Sequence, residues 1–184
     1  MTRVATTSLL VLTFFPMIAL AAELPSRKPG LWEVKTSFGN GNVPAQVIRQ
    51  CVDASTDQMM QARSVGSSQR DCTKRDVQRS GDTITIDSAC TVAGKARTSH
   101  IVITGSFDSA YTVKTHSKHE GKSPIPGMPA ETDMTIEAKW IGACKPDQKP
   151  GDMIMSNGIK MNVLEMQQKM KSMPKPPANP SPAK

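Results

Sequence analysis

From residue 31 the chain alternates between apolar and polar positions. Trp32, Val34, Thr36 and Phe38 recur at period two, with Leu31, Glu33, Lys35 and Ser37 between them, the pattern of a half-buried strand. Ahead of it, Lys28-Pro29-Gly30 reads as a type II turn, in which Pro fixes φ and Gly takes the positive-φ position. Gly39-Asn40-Gly41-Asn42 closes this strand, and residues 45–52 return as its partner. Ser55 with Gln58 three residues later matches a capping box and predicts a short helix carrying Met59, Met60 and Ala62. A Gly/Ser-rich loop over 65–70 follows.

Residues 72–79 and 82–90 read as a hairpin about Ser80-Gly81-Asp82. Ser99, Ile101 and Ile103 share one face of the next strand. Phe107, Ser109, Tyr111 and Val113 share one face of the strand after it, with the turn expected at Gly105-Ser106. Residues 116–129 read as a polar, Gly/Pro-rich loop. Over 133–141, Met134, Ile136, Ala138 and Trp140 alternate with Asp133, Thr135, Glu137 and Lys139, the clearest strand in the chain. Lys149-Pro150-Gly151 repeats the first turn, and Met153 and Met155 follow at strand spacing. Asn157-Gly158 is expected to lead into a last helix, where Val163, Met166, Met170 and Met173 form an i, i+3, i+7, i+10 stripe. The fold class expected is therefore mainly β with minor α: a single antiparallel sheet of about seven or eight strands, strongly twisted or curled, with one or two short helices.

The ends of the chain read differently. Arg3, an apolar run over 4–20 and Ala19-Leu20-Ala21 make a signal peptide, with cleavage expected after Ala21. The run is broken by Thr6, Thr7, Ser8, Thr13 and Pro16, which disfavours a membrane anchor needing about 20 strongly apolar residues. The organisation expected is a leader over 1–21, one β-rich domain over 22–170 and a disordered Pro/Lys tail over 171–184. The mature protein is then periplasmic and not integral to a membrane.

Charge narrows the field of functions. The chain carries +7, but one of those charges leaves with the leader and Lys171, Lys175 and Lys184 sit in the tail, so the body is only weakly basic. Its cations alternate with acids, as in Lys74-Arg75-Asp76, and at 4% aromatics few rings are available to stack bases. Nucleic-acid binding is not expected.

The four cysteines, Cys51, Cys72, Cys90 and Cys144, all survive cleavage and show no CxxC or CxxxC spacing. An even count in an exported chain reads as disulfides, with three connectivities open. Folding residues 72–90 about Gly81 brings Cys72 and Cys90 together, within the separation a bridge spans. Cys51 and Cys144 then pair by elimination.

The order Lys-Pro-Gly-Leu-Trp-Glu (28–33), Cys-Val-Asp-Ala-Ser-Thr-Asp (51–57), Arg-Ser-Gly-Asp-Thr (79–83), Gly-Ser-Phe-Asp-Ser-Ala-Tyr (105–111) and Lys-Trp-Ile-Gly-Ala-Cys-Lys-Pro-Asp-Gln-Lys-Pro-Gly-Asp (139–152) resembles one family across most of the body. It is the domain-of-unknown-function family 3617, small exported proteins of Gram-negative bacteria. The resemblance implies a periplasmic domain without assigned activity, so no catalytic residue is carried over.

Candidate chemistry is sparse. His116 and His119 form HxxH and on a helix could ligate Cu or Zn, but here they read as strand end and loop. Met153 and Met155, with Met161 and Met166, could be pictured as thioether ligands of Cu(I), although methionine is also an adaptable core filler. His100 falls on the Thr98/Val102 face of a strand, in a structural role. Asp147, Asp152 and Glu137, with Asp53 and Asp57, are most simply helix and turn caps. No Gly-x-Ser-x-Gly or HExxH element appears, so no enzyme and no cofactor is expected. The leading expectation is a non-enzymatic binding module whose sheet presents a groove to a small apolar ligand or an envelope protein. A Cu/Zn handler using Met and His is the alternative, and a hydrolase comes third.

Overall fold

Gly30, expected in a type II turn, is instead the first residue of the first strand, at φ 134°. A side chain there would strike the Gly142 carbonyl and the Trp140 indole, which explains why this position needs glycine. The computed structural model describes residues 24–39, 43–66, 72–92, 94–121 and 129–172. The leader over 1–21 lies outside the described residues, as does the tail expected over 171–184 except for Lys171 and Ser172, which are helical and not part of a disordered tail.

Among the described residues nine strands form one sheet, β1 (Gly30–Phe38), β2 (Gln46–Val52), β3 (Cys72–Ser80), β4 (Thr83–Val92), β5 (Lys95–Ser106), β6 (Ala110–His119), β7 (Glu131–Gly142), β8 (Asp152–Met155) and β9 (Lys160–Asn162). Their order is β3-β4-β5-β6-β7-β1-β2-β8-β9, antiparallel throughout, and the sheet is open, with β3 and β9 at its edges. Helix α1 (Ala54–Gly66) follows β2, and α2 (Val163–Ser172) follows β9.

Register assigns every side chain to one of two faces. The inner face carries two apolar clusters. In the first, Trp32, Val34, Val52 and Ala138 are buried, with Ile48, Ile136, Tyr111, Trp140 and Met60 of α1 packed against them. In the second, Ile84, Ile86 and Ile103 are buried, with Leu24 of the N-terminal segment against them. Tyr111 joins the two, stacking on Phe107 at 4.6 Å and tilting against Trp32 at 5.7 Å. The outer face is polar, with exposed pairs such as Lys35–Glu137 and Arg49–Glu33. Disulfides join Cys51 to Cys144 and Cys72 to Cys90, the two pairs reached from the spacing.

Several boundaries differ from the sequence reading. Residues 116–119 are not loop but the end of β6, paired along their length with β5 and β7. Their hydroxyl and basic side chains hid an alternation that the neighbouring strands complete. The β5–β6 turn lies at Phe107–Ser109 rather than at Gly105-Ser106, so β5 runs through Ser106 and Phe107 leaves the strand. The N-cap of α1 is Asp53, not Ser55: Asp53 Oδ1 accepts from the Thr56 N–H at 2.8 Å and Thr56 Oγ1 accepts from the Asp53 N–H at 2.9 Å. This reciprocal pair satisfies two orphan groups as a capping box does, with Thr in place of Glu or Gln. The helix also runs through Val65 and Gly66. Asn157-Gly158 makes the β8–β9 hairpin, with Gly158 at φ 83°, and that ninth strand is why the count exceeds eight. Helix α2 starts only afterwards, capped by Asn162 Oδ1, which accepts from the Leu164 and Glu165 N–H groups.

Candidate functional site

The two histidines of HxxH do not meet. On a strand an odd separation puts side chains on opposite faces, and His116 is exposed on the outer face while His119 is half-buried on the inner one. His116 is bracketed by Asp133 at 2.8 Å and Glu131 at 3.1 Å, and the hydrogen bond to Asp133 raises its pKa above the ordinary imidazole value. His100 shares the face of Thr98 and Val102, which is the outer one, and pairs there with Asp87 at 2.7 Å. Among the described residues no group of three or more His, Cys, Asp or Glu side chains could hold a metal ion.

The acids do not cluster either. Glu137 lies on the outer face against Lys35. Asp152 is buried and accepts from Asn162 Nδ2, the Lys149 N–H and Lys160 Nζ. Burial alone would raise its pKa, but these three donors outweigh it and the carboxyl sits below the ordinary range. Asp57 is no cap. It is fully buried and takes Arg27 Nε at 2.6 Å, the Arg27 N–H at 2.7 Å and Gln61 Nε2 at 2.7 Å. Arg27 also donates to Gln50 Oε1 and lies over the Trp32 ring. This network ties the N-terminal segment to α1 across the first apolar cluster, and all its donors and acceptors serve the fold.

The methionines divide. Met153 and Met155 are half-buried on β8, opposite Gln50 and Ile48, and Met161 on β9 faces Met153. Met166 and Met170 are not core residues: they are 39% and 54% exposed. Val163, the first member of the stripe, explains why. It is buried against Gly151, where its N–H donates to the Gly151 carbonyl. The helix is thus anchored by its first residue beside the edge strand, and its packing is chiefly against β9, only three residues long. Met166 and Met170 run past the sheet into water, and Met173 lies outside the described residues. Leu164 and Ile159 are exposed beside the stripe, and Lys169 and Lys171 occupy the last turn. Ile159 and Leu164 carried no functional reading in the sequence, because periodicity gives a stripe without saying whether a partner element exists to cover it.

An open groove of about 480 Å³ lies where the end of β5 and the start of β6 meet β7 and β1, lined by Glu33, Lys35, Thr104, Thr112, Glu137 and Lys139. Lys35 pairs there with Glu137 and Glu33 pairs with Arg49 beside it, so the charges do not converge on a catalytic centre. No described helix is long and apolar enough to cross a membrane.

A family model described as "Protein of unknown function (DUF3617)" matches residues 27–144. No curated protein matches the chain, and no solved structure does.

Proposed function

The chain belongs to the DUF3617 family, a family of unknown function, and from that premise we propose that it is a non-enzymatic binding module of the periplasm. Its partner is a protein, and the docking surface is α2 with the β8–β9 turn. The observation that carries this reading is the anchored helix whose stripe no described element covers: Val163 is buried while Met166 and Met170 stand exposed, with Leu164 and Ile159 exposed nearby. Isolated exposed apolar side chains are ordinary, but a group on one short unpartnered element marks an interaction surface. Methionine suits it, being flexible and polarisable enough to fit an irregular apolar groove. Lys169 and Lys171 at the open end favour a groove rimmed by acidic side chains. An enclosed site for a small apolar ligand has less support, since the described groove is open to solvent and carries charged side chains.

Photo-crosslinking in the native envelope tests this, with the reactive group at position 170 and, as control, at Thr112 on the outer face. A specific polypeptide adduct at 170 that disappears in Met166→Lys supports the reading. Adducts to phospholipid alone, or to nothing, overturn it.

A second reading rests on Met153, Met155 and Met161, which share the inner face of β8 and β9. Three thioethers on one face are a donor set for Cu(I). Competition with a Cu(I) chelator decides it, and an affinity weaker than about micromolar removes it.

A further inference from the structure

The inner face changes character along β4, β5 and β6. Successive cross-strand rows are Ile84–Ile103–Val113, Ile86–Ile101–Thr115, Ser88–Ser99–Ser117 and Cys90–Arg97–His119. The surface therefore grades from apolar, through hydroxyl, to cationic. Arg75 of β3 stands opposite Ser88, at the hydroxyl row.

The last two rows are partly linked. Arg97 Nη2 donates to Ser117 Oγ at 3.0 Å, and Ser117 Oγ lies 3.1 Å from Ser99 Oγ. Ser117 is only 4% exposed. Two polar atoms remain unanswered: Arg97 Nε and His119 Nδ1 are shut away from solvent without a hydrogen-bond partner among the described residues. Native proteins seldom leave such groups unsatisfied without a reason. Arg97 and His119 are directly opposed on adjacent strands, so their side chains start about 5 Å apart. One group with two or three acceptor oxygens spans that distance. Among the described acids of this part of the sheet, Asp76, Asp87, Glu131 and Asp133 fall in register rows of the outer face, and Glu120 is exposed just past the end of β6, where its N–H donates to the Ala96 carbonyl.

We propose that Arg97, Ser99, Ser117 and His119 form a binding site for an oxyanion, a carboxylate or phosphate group. Arg97 supplies the fixed charge and an Nε–H donor, the two serines supply hydroxyls, and His119 supplies a ring nitrogen that donates once protonated. Burial, then the charges of Arg97 and Lys95, hold the His119 imidazole below its ordinary pKa. A bound anion reverses the local potential, so His119 takes up a proton on binding. The adjoining isoleucine rows distinguish two sources of the anion: a free oxyanion uses the polar rows alone, whereas the head group of an amphiphile also lays a chain toward Ile101 and Val113. This site lies on strands remote in the sheet order from β8 and β9, and it stands or falls independently of the docking surface proposed for α2.

The test is an NMR titration of the His119 ring in the full mature chain, with inorganic phosphate, acetate and dodecyl phosphate as probes. Expected is a rise of the His119 pKa on saturation with phosphate or acetate. Dodecyl phosphate binding about tenfold or more tighter than phosphate identifies a head-group site, and equal binding identifies a free oxyanion. Arg97→Gln is expected to weaken binding about tenfold or more, by loss of a charge-assisted hydrogen bond. Arg49→Gln on the outer face leaves it unchanged. Should Arg97→Gln fail to fold, Ser99→Ala carries the test, with a weakening of about three- to tenfold. A His119 pKa indifferent to all three probes, or binding equal in wild type and Ser99→Ala, overturns the site.

Discussion

The two halves of the sheet solve the same problem differently. In the half built from β7, β1, β2 and β8, the inner face is completed from within the chain: α1 covers Trp32, and a buried polar network answers its own donors and acceptors. In the half built from β3 to β6, three isoleucines receive Leu24, and beyond them the rows turn polar with two atoms unanswered. Each half holds one disulfide. The first half is finished structure, and the second keeps unspent hydrogen-bonding capacity. A strand that must only fold ends in satisfied groups, so the difference marks where this molecule still has something to bind.

The disulfides give the largest expected contrast. Cys51–Cys144 closes a separation of 93 residues and Cys72–Cys90 one of 18. On the chain-entropy model their removal costs about 4.7 and about 3.2 kcal/mol respectively. Urea unfolding of the two double-serine variants measures this, and equal losses would remove the asymmetry between the halves.

Breaking the buried pair comes next. Asp57→Ala leaves Arg27 charged and unpaired where it is 6% exposed, at an expected cost of about 4 kcal/mol. The double variant Arg27→Met/Asp57→Leu should regain much of that loss, because it removes both charges together. A double variant no more stable than Asp57→Ala would show that the network's remaining hydrogen bonds dominate.

In the other half Leu24→Ala should cost less, about 1.5 kcal/mol, since this side chain is half-buried and its loss opens the cluster to water rather than leaving a closed cavity. A cost above that of Asp57→Ala would mean that the N-terminal segment, and not α1, is what holds the inner face together.

How far these halves were legible in the sequence follows from their chemistry. β1 and β7 announce themselves because Trp32, Val34, Ile136 and Ala138 alternate with charged residues, and burial on one face is what period two records. The hairpin of Cys72 and Cys90 was legible from a turn and two equal arms. The end of β6 was not, because Ser117 and His119 face inward as polar residues and so erase the contrast that alternation depends on. That erasure concealed the candidate oxyanion site: Arg97, Ser99, Ser117 and His119 keep period two, but in hydroxyls and cations. The Asp57 pair was hidden for another reason. Its partner lies 30 residues away, and no local pattern reports a buried ion pair. For α2 the stripe was visible but its exposure was not, since that depends on β9 being too short to offer it a surface.

Acid should act on the first half. The N–H and hydroxyl of Thr56, with Ser55, hold the Asp53 carboxyl below its ordinary pKa, and Asp152 is lowered as described. Carboxylates depressed in the folded state contribute stability that is present above their unfolded pKa and lost as pH falls through the folded value. Stability should therefore decline below about pH 4, the ordinary range of Asp. Asp53→Ala should cost about 1 kcal/mol at neutral pH, as N-cap losses do, and should flatten the acid limb. An acid limb unchanged in both Asp53→Ala and Asp152→Asn would place acid sensitivity elsewhere.

The smallest effect belongs to the second half and to two histidines three residues apart on opposite faces. The Asp133 hydrogen bond raises the pKa of His116, so its contribution is complete below the ordinary imidazole pKa near 6.5 and is lost as pH rises through the raised folded value. His119 works in the other direction. Burial and its cationic neighbours disfavour its protonated form, so in the anion-free protein stability falls as pH drops through the ordinary imidazole range. Across about pH 5 to 8 the two windows meet near the ordinary imidazole value, so the wild-type profile should pass through a shallow maximum there, rising with pH below it through His119 and falling above it through His116. His116→Gln should leave a stability that rises with pH, and His119→Gln one that falls. Saturating phosphate should abolish the His119 contribution alone, because the anion supplies the partner that the inner face lacks. Urea midpoints across this range, with and without phosphate, read both slopes, and phosphate altering the His119→Gln profile as much as the wild type would separate the anion from this histidine.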